Sequence, residues 1–162
     1  MSTVTVVVNG IPAPQGSKTA YPVHTKAGKV RAVVVDGSSK SGRERHASWR
    51  DAVATACADK GVTFDEPVSV TLRLYFPLPK SDPYRTAHAV TPDADKAARS
   101  CFDGMVAGGL LRDDSLVFSF SLSKWYCHGE QTPGAIIVVE PWGAHEAKAR
   151  EALKAQAKAA RR

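Results

Sequence analysis

The chain has 162 residues, 43% of them hydrophobic, which is enough for one domain with a real core and too apolar for wholesale disorder. No run approaches the roughly 20 apolar residues that span a bilayer. Met1-Ser2-Thr3-Val4 lacks the segments of a signal peptide, so the expectation is a cytoplasmic protein.

The net charge of +6 is unevenly placed. Residues 15–50 carry eight basic and two acidic groups, residues 145–162 six and two, and the remainder eight and twelve. An acidic centre between two basic arms suits a polyanion such as DNA, drawn in by the arms and tolerated at the centre only with cations present. Cys57, Cys101 and Cys127 are an odd, widely spaced set without a C-x-x-C pair. That argues against a disulfide framework or a structural zinc, and the three read as small buried apolar residues.

Thr3-Val4-Thr5-Val6 alternates with period two and predicts a strand ending at Asn9-Gly10. Residues 11–30, with Pro12, Pro14, Gly16, Gly28 and several lysines, predict a basic loop or loose hairpin. Arg31 to Val35 reads as a second strand, closed by Asp36-Gly37. From Ser38 the pattern becomes helical: Trp49, Ala52, Val53, Ala56 and Cys57 form one apolar stripe, with serines to cap it and Gly61 to stop it.

Residues 68–76 are the clearest strand. Val68, Val70, Leu72, Leu74 and Phe76 point one way, and Ser69, Thr71, Arg73 and Tyr75 the other. Pro77 and Pro79 end it, and a polar loop follows over 80–91. A second helix is predicted from Pro92, taken as its first residue, with Ala94, Ala97, Ala98, Cys101, Phe102 and Met105 on its apolar face and Gly108-Gly109 as its stop. Leu116, Phe118, Phe120 and Leu122 then share one face of a strand, with the opposite face mostly polar and half-exposed. Ala135 to Val139 is a short buried strand, and residues 144–162 a solvated terminal helix.

Chemistry concentrates between Thr91 and Asp114. Asp93 and Asp95 sit where loop turns into helix, Lys96, Arg99 and Asp103 fall on that helix's polar face, and Asp113-Asp114 follow the glycine stop. If the fold returns Asp114 to Asp93 and Asp95, the clustered carboxylates require a hard divalent cation, for which Mg²⁺ is suited. Such an ion activates water for phosphodiester hydrolysis, and Lys96 or Arg99 can grip the phosphate. The same residues also suit an ordinary aspartate-rich helix start and an ordinary turn, and spacing alone leaves that choice open.

The joint pattern Pro92-Asp93-Ala94-Asp95-Lys96, Arg99, Asp103, Gly109-Leu110 and Asp113-Asp114 resembles the RusA family of Holliday junction resolvases, closely over residues 91–117. Pro12-Ala13-Pro14-Gln15-Gly16-Ser17-Lys18 is similar to the start of phage-type members. The resemblance implies a small homodimeric endonuclease of a bacterial cell or phage-infected host, resolving four-way junctions and other branched DNA by paired, symmetric, Mg²⁺-dependent nicks, in recombination and repair. It carries the metal-binding aspartates onto Asp93, Asp95 and Asp114, whose 21-residue separation is kept, with Asp113 and Asp103 at further acidic positions. The family's essential helix lysine falls at Arg99, and an asparagine of some members falls at Lys96, so the basic catalytic role rests with Arg99 or Lys96.

The expected fold is α/β (α+β): a single compact domain, a mixed β-sheet of four to six strands with two main helices packed on it, plus a C-terminal helix. Residues 1–144 are expected to form the nuclease domain and 145–162 a basic tail. The expected partners are branched DNA and a second copy of the chain, with no membrane and no small-molecule cofactor beyond Mg²⁺, for which Mn²⁺ is a candidate substitute. DNA contacts are expected from Lys18, Lys26, Lys29, Arg31, Arg43, Arg45, Lys96 and Arg99.

Other signals are weaker. His128-Gly129-Glu130 is half a zinc-deaminase signature, but no P-C-x-x-C follows. His24, His46, His88 and His145 lack ligand spacing and read as solvated. Tyr21, Trp49 and Tyr84 are candidates for base stacking, although Trp49 sits on the apolar helix stripe and suits the core better. Two other classes remain open. One is a branched-DNA-binding protein without catalysis; the other is a phosphate-receiving domain, for which the chain lacks repeated βα units.

Overall fold

The computed structural model describes residues 2–16, 18–24, 28–36 and 39–159. In chain order its elements are β1 (Val4–Asn9), β2 (Lys18–His24), β3 (Val30–Asp36), α1 (Lys40–Ala58), β4 (Val68–Phe76), α2 (Ala94–Ala107), a 3-10 turn (Asp114–Leu116), β5 (Val117–Tyr126), β6 (Gly134–Pro141) and α3 (Gly143–Ala159). They form a single compact α+β domain, with a four-stranded mixed sheet in the order β1-β6-β4-β5. β6 runs antiparallel to both of its neighbours, β1 and β4, while β5 runs parallel to β4. A parallel pair needs a crossover, and α2 supplies it.

β4 forms because its alternation is nearly perfect. Val68, Val70, Leu72 and Leu74 are fully buried, and their β6 neighbours Ala135, Ile137 and Val139 share that face. Onto it pack α1, through Trp49, Val53 and Cys57, and α2, through Ala97, Ala98, Cys101 and Met105. The helices approach closely at two glycines. A Cβ on Gly104 would stand 2.7 Å from Val53 Cβ, and one on Gly108 would collide with the Ala54 carbonyl. Gly108-Gly109 therefore stops α2 and also lets α1 pass. All three cysteines are free and buried, and burial pushes the Cys101 thiol up to about 12, far from thiolate chemistry.

Ser39 caps α1, its hydroxyl accepting from the Gly42 N–H at 3.1 Å. Within the 11–30 stretch Lys18–His24 forms β2, which pairs antiparallel with β3, the strand expected at Arg31 to Val35, in a two-stranded sheet outside the main one.

Three sequence expectations are corrected. Pro92 is not the first residue of α2: Asp93 takes the N-cap position with extended backbone, so Pro92 lies outside the helix. The apolar face of β5 is largely unburied, with Phe118 62% and Phe120 51% exposed. The cause is topological, since β5 is an edge strand of the sheet and α2 reaches it mainly where Phe102 meets Phe120 in a T-shaped contact. His88 is not solvated: it is buried, stacked on Phe76 at 3.8 Å between ring centroids and tilted against Tyr126.

α3 is solvated as expected, with Leu153 63% exposed. Its Glu146–Arg150 and Glu151–Lys154 pairs are helix-surface contacts worth about 0.3–0.5 kcal/mol each.

Candidate active site

Asp93 and Asp95 bracket the first turn of α2, and the loop entering it is held from below by the sheet. Lys124 of β5 donates through Nζ to the Val90 carbonyl at 2.8 Å and the Pro92 carbonyl at 2.6 Å. A partly buried ammonium with two carbonyl acceptors is a strong tie, and hydrogen bonds to charged groups contribute roughly 1.5–3 kcal/mol. Both aspartates are exposed. Asp93 caps no N–H with its side chain; its carboxylate instead pairs with Lys96 at 3.0 Å. Both partners are more than a third exposed, so this pair is worth at most about 1 kcal/mol and opens easily to a phosphate.

Arg99 lies one turn further along α2, exposed. Asp103 is tied down: Gln15 donates to it through Nε2 at 3.0 Å, and the Gln15 N–H donates to the Lys96 carbonyl at 3.2 Å. The Pro12–Gly16 loop is thereby docked along the face of α2 that carries Lys96.

Asp113 and Asp114 lie beyond the other end of that helix. Asp113 accepts from the Ser115 N–H at 2.8 Å, and hydrogen bonds from the Ser115 side chain and backbone hold its carboxyl below the usual range. Asp114 opens the 3-10 turn and is exposed. α2 has 14 residues and is therefore about 21 Å long. The chain returns to the Asp93 end only with Lys124, and Val117 to Lys124 is about 23 Å of extended strand. Among the described residues no group of three or more His, Cys, Asp or Glu side chains is placed to hold one metal ion. Asp93 and Asp95 stand together, and Asp114 stands apart from them within one chain.

A model of the RusA family, described as endodeoxyribonuclease RusA, matches residues 22–140. The chain belongs to the RusA endodeoxyribonuclease family. No curated protein matches it significantly. The RusA match spans most of the chain, contains β4, α2 and β5 and ends within β6, and so includes every candidate catalytic residue: Asp93, Asp95, Lys96, Arg99, Asp113 and Asp114. The Pro12–Lys18 segment precedes it and α3 follows it. The family's chemistry, endonucleolytic cleavage of DNA, makes the protein a nuclease.

Of the expected DNA contacts, Lys29, Arg31, Arg43, Arg45 and Arg99 are exposed, Lys96 is half-buried, Lys18 begins β2, and Lys26 lies outside the described residues. Sequence reasoning missed Lys124. Its only local signal is a single charge in the otherwise uncharged strand Val117–Tyr126. His128, half of the deaminase signature, bonds instead to the Arg85 carbonyl at 2.8 Å. Among the described residues no helix is long and apolar enough to cross a membrane.

Proposed function

We propose that the protein is a metal-dependent, structure-specific endonuclease that nicks branched DNA, four-way junctions above all, as a homodimer in recombination and repair. The observation carrying this reading is the exposed Asp93–Asp95 pair, beside Lys96 and Arg99, on a loop clamped by Lys124 within the region that matches an endodeoxyribonuclease family. Mg²⁺ binds through one or two carboxylates together with substrate phosphates, and Asp93 and Asp95 fit that donor set. When bound, the ion supplies charge neutralisation at the scissile phosphate and acidifies a water. Lys96 exchanges its weak pair with Asp93 for a phosphate oxygen, and Arg99 holds the same strand one turn on.

The separation of Asp114 supports the dimer. The Lys124 carbonyl accepts from the His88 N–H and the Tyr126 N–H donates to Thr86, so even-numbered residues of β5 turn their backbone groups outward. Residues 86–88 cover that edge near Trp125, while among the described residues no strand pairs with the outer side of Val117 to Ser123, which carries Phe118 and Phe120 exposed. Monomeric proteins blunt such edges with charge or proline, and this stretch has neither. Two copies pairing antiparallel about Phe120 set residue 114 of each chain against residue 126 of the other. The partner's Asp114 then arrives at the Lys124 end, where Asp93 and Asp95 stand. A two-fold dimer holds two such sites, matching the near two-fold symmetry of a four-way junction.

The test is a labelled four-way junction and a matched linear duplex, each with Mg²⁺, Mn²⁺ or EDTA. Symmetric nicks on the junction alone, requiring the divalent ion and lost in Asp93→Asn, are expected. Tight junction binding without cutting in any metal would make this a branched-DNA-binding protein instead.

A further inference from the structure

Beside Asp93 lies an open cleft of about 900 Å³ with no role in the reading above. One wall is the Gly10–Pro14 stretch after β1, the second is the N-terminal half of α1, and the third is Thr91-Pro92, which leads directly into Asp93. Its lining is mostly apolar. Ile11 stands at its edge 60% exposed, and Pro12, Pro14 and Pro92 supply flat, rigid surfaces. Gly10, at φ 132°, lays its backbone over the Trp49 indole, where a Cβ would stand 3.8 Å from the ring. The polar groups of the lining are few: Ser41, Glu44, Arg45 and Ser48 from α1, with Asn9 and Thr91 on the other walls. A concave apolar site with a small number of convergent polar groups is the usual form of a ligand site.

Charge and position identify the occupant. Glu44 and Arg45 line the cleft, and Lys40 and Arg43 beside them on α1 leave residues 40–45 with three cations against one acid. That rim favours a polyanion. A DNA strand whose phosphate sits at Asp93 and Lys96 places its neighbouring nucleotide at Pro92, the cleft's own wall. In duplex the base of that nucleotide is stacked, but at a branch point unstacking costs little. An apolar slot holds an unstacked base by its flat face irrespective of identity, and hydroxyl and guanidinium groups reach its edge. The cleft is also held rigidly to the site, because Gln15 pins the end of the first wall to Lys96 and Asp103.

We propose that this cleft takes the unstacked nucleobase of the nucleotide next to the scissile phosphate. The proposal rests on the branched-DNA nuclease reading and assigns it a substrate subsite. It would make the enzyme's choice among branched positions depend on which base can leave the stack, with Arg45 and Ser48 reading the base edge.

The test uses the full-length protein and four-way junctions carrying 2-aminopurine on either side of the cut. Binding is followed by fluorescence in EDTA, so cutting is not the readout. A rise is expected at one flanking position only, and it is expected to disappear in Ser48→Trp, which fills the cleft from an exposed helix position, while junction affinity changes only a few-fold. Ile11→Ala, at an exposed site that cannot endanger folding, is expected to weaken the rise without abolishing it. In Mg²⁺, an abasic residue at the same position is expected to slow wild-type cleavage about ten-fold and to leave Ser48→Trp unaffected. Junction binding and cutting with no signal at either flanking position overturns the subsite and leaves the nuclease reading intact. Failure of the wild-type protein to bind or nick the junction overturns both.

Discussion

The Lys124 ammonium donates to the Pro92 carbonyl at 2.6 Å, and so ties the sheet's edge strand to the residue immediately before Asp93. The strand whose outer edge we propose to pair with a second copy therefore also sets the height of the acidic loop. Lys124→Met keeps the apolar stem and removes both carbonyl contacts. It is expected to lower kcat for junction cleavage at least about ten-fold, because small displacements of catalytic groups cost that much. The unfolding free energy should fall by no more than about 3 kcal/mol. Steady-state kinetics beside a denaturant melt would separate the two effects, and unchanged kcat would show that the clamp does not position the site.

The α1–α2 contact has no room for a methyl at Gly108, where a Cβ runs into the Ala54 carbonyl. Gly108→Ala is expected to destabilise by about 1–3 kcal/mol through overpacking, despite alanine's better helix propensity. Thermal unfolding should show a decrease on the order of 5 °C. An increase in Tm would mean that the helices separate at little cost.

His88 gives a pH signature. Burial first, then the nearby Lys124 and Arg85 charges, hold its imidazole below the ordinary value of 6.5, so the folded protein binds fewer protons there than the unfolded chain. Stability from this group is therefore present above about pH 6.5, is lost as pH falls below it, and stops falling once the folded imidazole also protonates. Denaturant melts between pH 5 and 8 should show this loss in the wild type and a flatter profile in His88→Phe. Parallel profiles would remove His88 as the cause.

Phe120 sits at the centre of the open stretch of β5, 51% exposed and touching Phe102 only by its edge. Phe120→Lys places on the edge the charge that monomeric proteins use to block strand pairing. Light scattering is expected to show a dimer for the wild type and a monomer for the variant, with junction cleavage lost and the far-UV spectrum kept. A variant that remains dimeric would move the interface elsewhere.

β4 and the helix stripes were legible in the sequence because they are local patterns: the buried face of β4 is purely apolar, and Trp49, Val53 and Cys57 recur at helical spacing. The acidic motif is equally visible, although its spacing alone leaves its role open. What was not legible depends on residues far apart in the chain. The alternation of Phe118 and Phe120 states that a face is apolar, but only the strand order makes β5 an edge. An isolated histidine has no local mark of the Phe76 and Tyr126 rings that enclose His88. The separation of Asp114 from Asp93 follows from the parallel β4–β5 crossover, which the 21-residue spacing does not encode.

The most direct measurement of the shared site is subunit mixing. Asp93→Asn and Asp114→Asn are purified separately, each inactive on a labelled four-way junction in Mg²⁺, then exchanged and assayed together beside the wild type. If each site takes Asp93 and Asp95 from one chain and Asp114 from its partner, a mixed dimer carries one site with both substitutions and one with neither. Nicking of a single strand per junction should then return, in the wild-type position. Should the mixture stay as inactive as its components while the wild type cuts, each site is built within one chain and the shared-site account is wrong.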